Sequence, residues 1–290
     1  MSKKIKHYYL KAYKFFELFF WKFIALIYLS NNSELLNDII SINREYLSKI
    51  KKFISVDEHT KNDFGIPQHI FKNIDKKIDN NPTYTDLIIF LMKNMKKDKL
   101  NYLEIGVSVM KNFRQVNYQL TNSKLVAYDI NKIVSTFSDK FISDENIENL
   151  FHKNEYTNNI YYFKGDVLNK SDAKSFSKAL DLKYDFVMSD AMHTKEGVLE
   201  EFTNLIEGNL SEEFILYYDD LDFPNLEDAA LMNYFKLVSS YAGLNFYTFW
   251  ISGWVGQNEK MHKNGIITNI NLEQILNKNN IKLPFFKKIK

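Results

Sequence analysis

Four residues hold the clearest chemical potential of this chain. Asp190 and His193 stand three apart, directly after the apolar run from residue 184 to 189. Asp219 and Asp220 stand side by side, directly after a second apolar run from 214 to 218. Carboxylates suit hard divalent cations, and an imidazole beside them can move a proton. Two adjacent acids also repel each other unless something cationic lies between them. The plain alternative is local: Asp190 or Thr194 caps the next helix and His193 sits exposed in the loop. A cap at Thr194 is compatible with chemistry at its neighbours.

Such residues need strands to hold them. From Thr83 onward, apolar strand-like runs at 100–105, 125–128, 160–163, 184–189 and 214–218 alternate with helical patterns at 84–95, 113–120, 171–180, 195–207 and 224–241. Strands alternating with helices imply an α/β fold with a mostly parallel sheet covered on both faces. Two further runs, 245–251 and 265–268, read as an antiparallel pair at one sheet edge. Several strand ends carry an acid: Glu104-Ile105-Gly106, Asp129, Gly165-Asp166, Asp190 and Asp219. The carboxyl ends of strands in an open sheet are where ligands bind. Taken singly, Gly106 could be an ordinary turn, Asp129 a helix cap and Asp166 a turn residue.

The first 82 residues differ from this pattern. Residues 3–30 read as one helix with Lys4, Lys11, Lys14 and Lys22 on one face at a 3.6-residue period and an aromatic arc elsewhere. Glu17 and Lys22 interrupt the apolar run, which makes a poor transmembrane span, and no small-residue cleavage site follows to suggest a signal peptide. Two readings stay open: a helix in a membrane interface, or one packed on its own domain or on a partner subunit of a homo-oligomer. Helical patches continue, as at 35–54, with a polar break at 57–65. Asn80-Asn81-Pro82 then marks a boundary. The division read from this is an N-terminal helical extension, 1–82, and a domain at 83–290.

Composition narrows the classes. The 290 residues carry a formal net charge of only +2, and no Asn-Pro-Pro-Tyr-type motif occurs, so nucleic acid is not the expected partner. There is no cysteine, which excludes disulfides, thiolate metal sites and cysteine nucleophiles and suits a reducing compartment such as the cytoplasm. Glycine is scarce at 9 residues, which bears on any loop that must approach a cofactor.

The stretch Asp190-Ala191-Met192-His193-Thr194-Lys195-Glu196-Gly197-Val198 is similar to an Asp-Gly-Asp-His-Ser-Tyr-Glu-Gly-Val stretch found in a known family. With Asp219-Asp220 after the next strand, the order of motifs over about residues 83–270 resembles that of class I S-adenosylmethionine-dependent methyltransferases. Closest are the metal-dependent O-methyltransferases of macrolide sugars and catechols and the cephalosporin-hydroxylase-like group. The resemblance implies a Rossmann-like methyltransferase fold. It implies S-adenosylmethionine bound by Glu104 and Gly106 in the first loop, by Asp129 at the ribose and by Asp166 near the adenine. It implies Mg²⁺, or another divalent cation, on Asp190, Asp219 and Asp220, with His193 as the general base for a hydroxyl of a sugar or other small metabolite. The chain departs from the family where Met110 and Lys111 replace a common Gly-Gly, Ser108 replaces a small residue, and Met192 replaces an acid. Two rivals follow: a non-catalytic or repurposed protein of this fold, anchored by its first helix, and a metal site with other chemistry such as hydrolysis or hydroxylation. The remaining histidines, His262 among them, show no ligand spacing.

Overall fold

The computed structural model describes residues 3–50, 81–133, 137–145, 147–253 and 261–289. Residues 51–54 of the helical patch at 35–54, the polar break at 57–65 and Asn80 lie outside the described residues. The chain opens with α1 (Lys3–Tyr28), β1 (Ser30–Asn31), α2 (Glu34–Ile50) and α3 (Tyr84–Asn94). The central run follows: β2 (Asn101–Ile105), α4 (Lys111–Gln119), β3 (Lys124–Asp129), β4 (Ile142–Ser143), β5 (Leu150–Glu155), β6 (Asn158–Lys164), α5 (Lys170–Ala179), β7 (Tyr184–Ser189) and α6 (Lys195–Glu201). It ends with β8 (Leu210–Tyr218), α7 (Leu226–Leu237), β9 (Asn245–Ser252), β10 (Met261–Thr268), α8 (Leu272–Lys278), β11 (Ile281–Lys282) and β12 (Lys287–Ile289).

Ten strands form one sheet in the order β12-β9-β10-β8-β7-β2-β3-β6-β5-β4. The middle five, β8-β7-β2-β3-β6, are parallel. All six residues of β7 are buried, as a parallel strand covered on both faces must be. Side chains alternate between two apolar layers. Tyr102, Ala127, Phe186, Met188 and Tyr217 face the layer that holds α2, α3 and α4. Leu103, Val126, Tyr128, Val187 and Leu216 face the layer of α5, α6 and α7. This period of two, with both faces apolar, is what fixes the register against slippage.

The expected antiparallel pair is present, and it is deeper in the sheet than an edge. Strand β10 lies between β8 and β9 and is antiparallel to both, and β12 pairs outside β9. At the opposite margin β4, β5 and β6 form an antiparallel extension that the apolar pattern did not reveal. The helix expected over 195–207 is α-helical to Glu201 and closes with a π-helical turn, Phe202–Ile206.

Helix α2 belongs to the same apolar layer as α3 and α4. A polar joint reinforces that contact. Thr83 and Asp86 form a capping box on α3, and Asp86 also accepts hydrogen bonds from Asn43 Nδ2 at 2.6 Å and Arg44 Nη2 at 2.7 Å on α2. The carboxylate is fully buried and multiply paired, so removing it would leave Arg44 without its countercharge in a half-dry setting.

Candidate active site at the carboxyl edge of the sheet

Strand register sets five residues in one row. Ile105 pairs with Tyr128 and with Ser189, Ser189 pairs with Tyr218, and Tyr218 with Gly265. The next positions along that edge are Asp129, Gly106, Asp190, Asp219 and Asn264, one per strand, with neighbouring strands about 4.8 Å apart. The ladder runs one rung past the strands: Gly106 N–H donates to the Tyr128 carbonyl at 2.9 Å, Asp190 N–H to the Ile105 carbonyl at 2.9 Å, and Asp219 N–H to the Ser189 carbonyl at 3.3 Å. The chain leaves β2 toward β3 and β6, then returns to β7 and β8 on the other side. The order therefore reverses between β2 and β7, where ligand crevices form in open sheets.

Gly106 sits at that reversal with φ +85°, and a Cβ there would lie 2.3 Å from the Asp190 carbonyl oxygen. Only glycine allows both the backbone angle and the approach of the two loops. The rest of the first loop reaches similar angles without glycine. Ser108 has φ 48° and Met110 φ 61°, and Met110 N–H closes on the Val107 carbonyl at 2.6 Å. Val107, Val109 and Met110 are buried in the layer of α3 and α4. Burial of three apolar side chains offsets the strain of two left-handed residues, which cost roughly 1–3 kcal/mol each. Lys111 is the first residue of α4.

The acids on this side are matched by donors. Asp129 accepts the Ser108 N–H on Oδ2 and the Asn131 N–H on Oδ1, each at 2.8 Å. It ties the first loop to the end of β3. Glu104 turns into the layer beneath α4 and accepts the Tyr102 hydroxyl at 2.6 Å and Asn112 Nδ2 at 2.8 Å. Burial pushes its carboxyl up to about 8, against the pull of those two donors. Asp166 accepts the Leu168 N–H at 2.9 Å in an Asx turn, and its carbonyl accepts the Tyr128 hydroxyl at 3.1 Å.

The other side brings acids and histidines together. Asp190, His193 and Asp220 each offer a ligand atom within 4.8 Å of the others, and so do Asp220, Asp222 and His262. Asp220 is common to both sets. Its Oδ2 lies 3.4 Å from His193 Nε2, and its Oδ1 contacts His262 Nδ1. His193 Nε2 also lies 3.4 Å from Asp190 Oδ1, and its ring stacks on Phe223 at 5.0 Å. The hydrogen bond to Asp190 leads the causes that raise His193 to about 9, with further help from the charges of Asp190, Asp220 and Asp219. For His262 burial works downward, but the Asp220 hydrogen bond and the charges of Asp219, Asp220 and Asp222 carry it up to about 9.

Asp219 stands apart from both sets. Its Oδ1 accepts Asn264 Nδ2 at 2.6 Å and the Asp220 N–H at 2.8 Å. Burial, then Asp190, then Asp220 push it up to about 7. Asp220 itself has φ 55°, and Thr194 caps α6 by accepting the Gly197 N–H. Beneath the loop, Glu201 is fully buried with Ser189 nearby but no hydrogen bond of good geometry, and burial pushes it up to about 8. Tyr84, at the start of α3, is raised by burial and then by Asp219, Asp190, Glu104 and Asp220, which puts its phenol in the same electrostatic neighbourhood.

His262, Asp222, Asn264, Glu201 and Tyr84 were not among the residues singled out in the sequence. The signal for the first and third is the register of β10, which starts four residues before the strand that apolar pattern suggests. Trp250 stacks on Trp21 of α1 at 4.6 Å.

No family model matches the sequence, and no curated protein matches it. Solved structures do align. The O-methyltransferase from Bacillus cereus, solved with SAH, aligns over 87% of this chain and 99% of that one, with 12% identity and a TM-score of 0.48. The O-methyltransferase TomG from Streptomyces achromogenes, solved with SAM, aligns over 86% and 94%, with 12% identity and a TM-score of 0.42. The methyltransferase MycE, solved with Mg, SAH and mycinamycin VI, aligns over 69% and 40%, with 11% identity and a TM-score of 0.32. At these scores the alignments carry no conclusion about this chain. The strand order and the antiparallel β10, read from the hydrogen bonds of the sheet itself, are those of the Rossmann-like methyltransferase fold, and that is the fold of this chain.

Proposed function

We propose that the protein is an S-adenosylmethionine-dependent O-methyltransferase, assisted by a divalent cation, that acts on a hydroxyl of a sugar or other small metabolite. The observation that carries this reading is the convergence of Asp190, His193 and Asp220 within 4.8 Å, beside the strand reversal where Gly106 meets the Asp190 loop. The carboxylates of Asp190 and Asp220 would suit Mg²⁺ or Mn²⁺, with Asp219 adding negative charge from its place by Asn264 and His193 left as the base. Asp129, which ends β3 beside the first loop, would accept the ribose hydroxyls. The cofactor would supply an electrophilic methyl group and the cation would lower the pKa of the acceptor hydroxyl.

The chain's own part is positioning and proton handling. Asp190 and Asp220 hold the imidazole of His193 from two sides, and Phe223 fixes its plane. His193 can accept the acceptor's proton only in its neutral form. With its pKa raised to about 9 by those carboxylates, it is protonated at neutral pH when no cation lies on them. If Asp190 and Asp220 held a cation, its charge would oppose that protonation, and His193 would stay neutral and able to accept the proton. Orientation of the hydroxyl against the methyl group then supplies much of the acceleration.

Calorimetric titration with S-adenosylhomocysteine, with and without Mg²⁺ or Mn²⁺, tests the reading. Saturable binding, tightened by the cation and weakened in Asp129→Asn, is the expected result. A second reading, a non-catalytic or repurposed protein of this fold, draws on Asp129, whose two oxygens both already accept loop amides. Absence of heat at millimolar ligand with folded protein would favour it over the enzyme.

A further inference from the structure

We infer that α1 is a surface anchor that lies flat on an anionic lipid bilayer. Among the described residues, one side of the helix rests on the domain. Trp21 stacks on Trp250 of β9, Ile24 is buried, and Tyr28 meets Phe285. On the opposite arc Phe16, Phe19, Phe20, Phe23, Leu26 and Ile27 are all at least half exposed, and Leu26 reaches 82%. At 100° per residue these six fall within one arc of about 120°, with no polar residue between them from 16 to 27. Scattered exposed apolar residues need no explanation; a continuous aromatic arc along a helix does.

Charge decides what covers it. Residues 3–28 hold six lysines, Lys3, Lys4, Lys6, Lys11, Lys14 and Lys22, against the single acid Glu17. The whole chain nets only +2, so the positive excess belongs to this helix and the remainder of the chain is net acidic. Lys22 is exposed and lies at the border of the apolar arc, where a lysine stem can follow apolar surface while its ammonium reaches a phosphate. A second copy of this helix would bring like charge to like charge. A bilayer with anionic headgroups offers apolar depth under the aromatic arc and negative charge along its border. No helix among the described residues is long and apolar enough to cross a membrane, so the contact is in the plane of the interface.

The anchor is also joined to the site edge. Trp250 is paired across the sheet with Lys263, the residue after His262, and β9 runs parallel to β8, so Trp250 lies near the same carboxyl edge as Asp219. The inference does not depend on methyl transfer and is tested without it.

The test is co-sedimentation of the full chain with vesicles of phosphatidylcholine alone and of phosphatidylcholine with about one third phosphatidylglycerol. Expected is binding to the anionic vesicles that falls at least tenfold in Phe16→Ser/Phe19→Ser/Phe23→Ser and falls several-fold in Lys22→Glu or in high salt. Circular dichroism and thermal melting identify any variant that has lost its fold; for that case Leu26→Ser, at the most exposed position, serves as the second probe. Full recovery of the wild-type chain in the supernatant with anionic vesicles overturns the inference. So does binding that ignores both salt and lipid charge. A light-scattering mass of a dimer that becomes a monomer in the triple serine variant also overturns it, and assigns the arc to a second copy.

Discussion

Around β2 and β3 each acid has donors of its own: Asp129 takes two backbone amides, and Glu104 takes a phenol and a side-chain amide. Around β7 and β8, Asp190 and Asp220 face His193, Asp220 also meets His262, and the charges of Asp190 and Asp220 bear on Asp219. Both groups sit at equivalent strand ends of one sheet, so topology does not separate them. What separates them is the neighbour. Asp129 and Glu104 meet neutral donors, and Asp129 holds a loop in shape. Asp190, Asp219 and Asp220 meet one another's charge, which raises the proton affinity of Asp219 and of both histidines.

The largest expected effect is at the seam between the two groups. Gly106→Ala should destabilise the protein by about 3–5 kcal/mol in urea unfolding, because the angle and the contact with the Asp190 carbonyl both fail. Near-native stability would mean that the two loops are not held against each other. Next comes a pair with opposite signs, measured at pH 8 with a chelator present. Asp129→Asn should cost about 1–2 kcal/mol, since an amide has one oxygen for two N–H donors and presents its NH₂ to the other. Asp219→Asn should stabilise by about 1 kcal/mol, since it keeps an acceptor for Asn264 and removes a charge that burial, Asp190 and Asp220 all oppose. Equal signs for the two would erase the distinction drawn above.

A pH profile sharpens it further. Glu104 and Glu201 have folded values near 8 against an ordinary value of 4.5, so the folded state binds more protons than the unfolded state between those limits. Stability should be full below about pH 4.5 as far as these two groups are concerned and should decline as pH rises through about 8. Thermal melting should show that decline, and Glu201→Gln should flatten it. The smallest effect is at Asp166→Ala, which removes one exposed Asx-turn bond and should shift stability by about 0.5 kcal/mol.

The parallel core was legible because its strands are apolar on both faces and its helices alternate with them; β7 is the clearest case. The β4–β5 extension was not, because Leu150–Glu155 mixes polar with apolar residues and has one face only partly covered. Met110 illustrates a tertiary override: local preference asks for glycine at φ 61°, but a fully buried side chain holds methionine there. In the candidate site, Asp190, His193, Asp219 and Asp220 stood out because each directly follows an apolar strand or lies in the loop after one. His262 and Asn264 enter from the first half of an antiparallel strand, and only the pairing of Gly265 with Tyr218 tells which of its residues meet Asp219 and Asp220. Register between segments this far apart along the chain has no local signature.

The clearance at Gly106 has a mechanical outcome. Two loops that leave no room for a methyl group between them cannot loosen one at a time. Hydrogen exchange at the amides of Gly106 and Asp190 should therefore keep a common pace as temperature changes, like two pages bound at one spine.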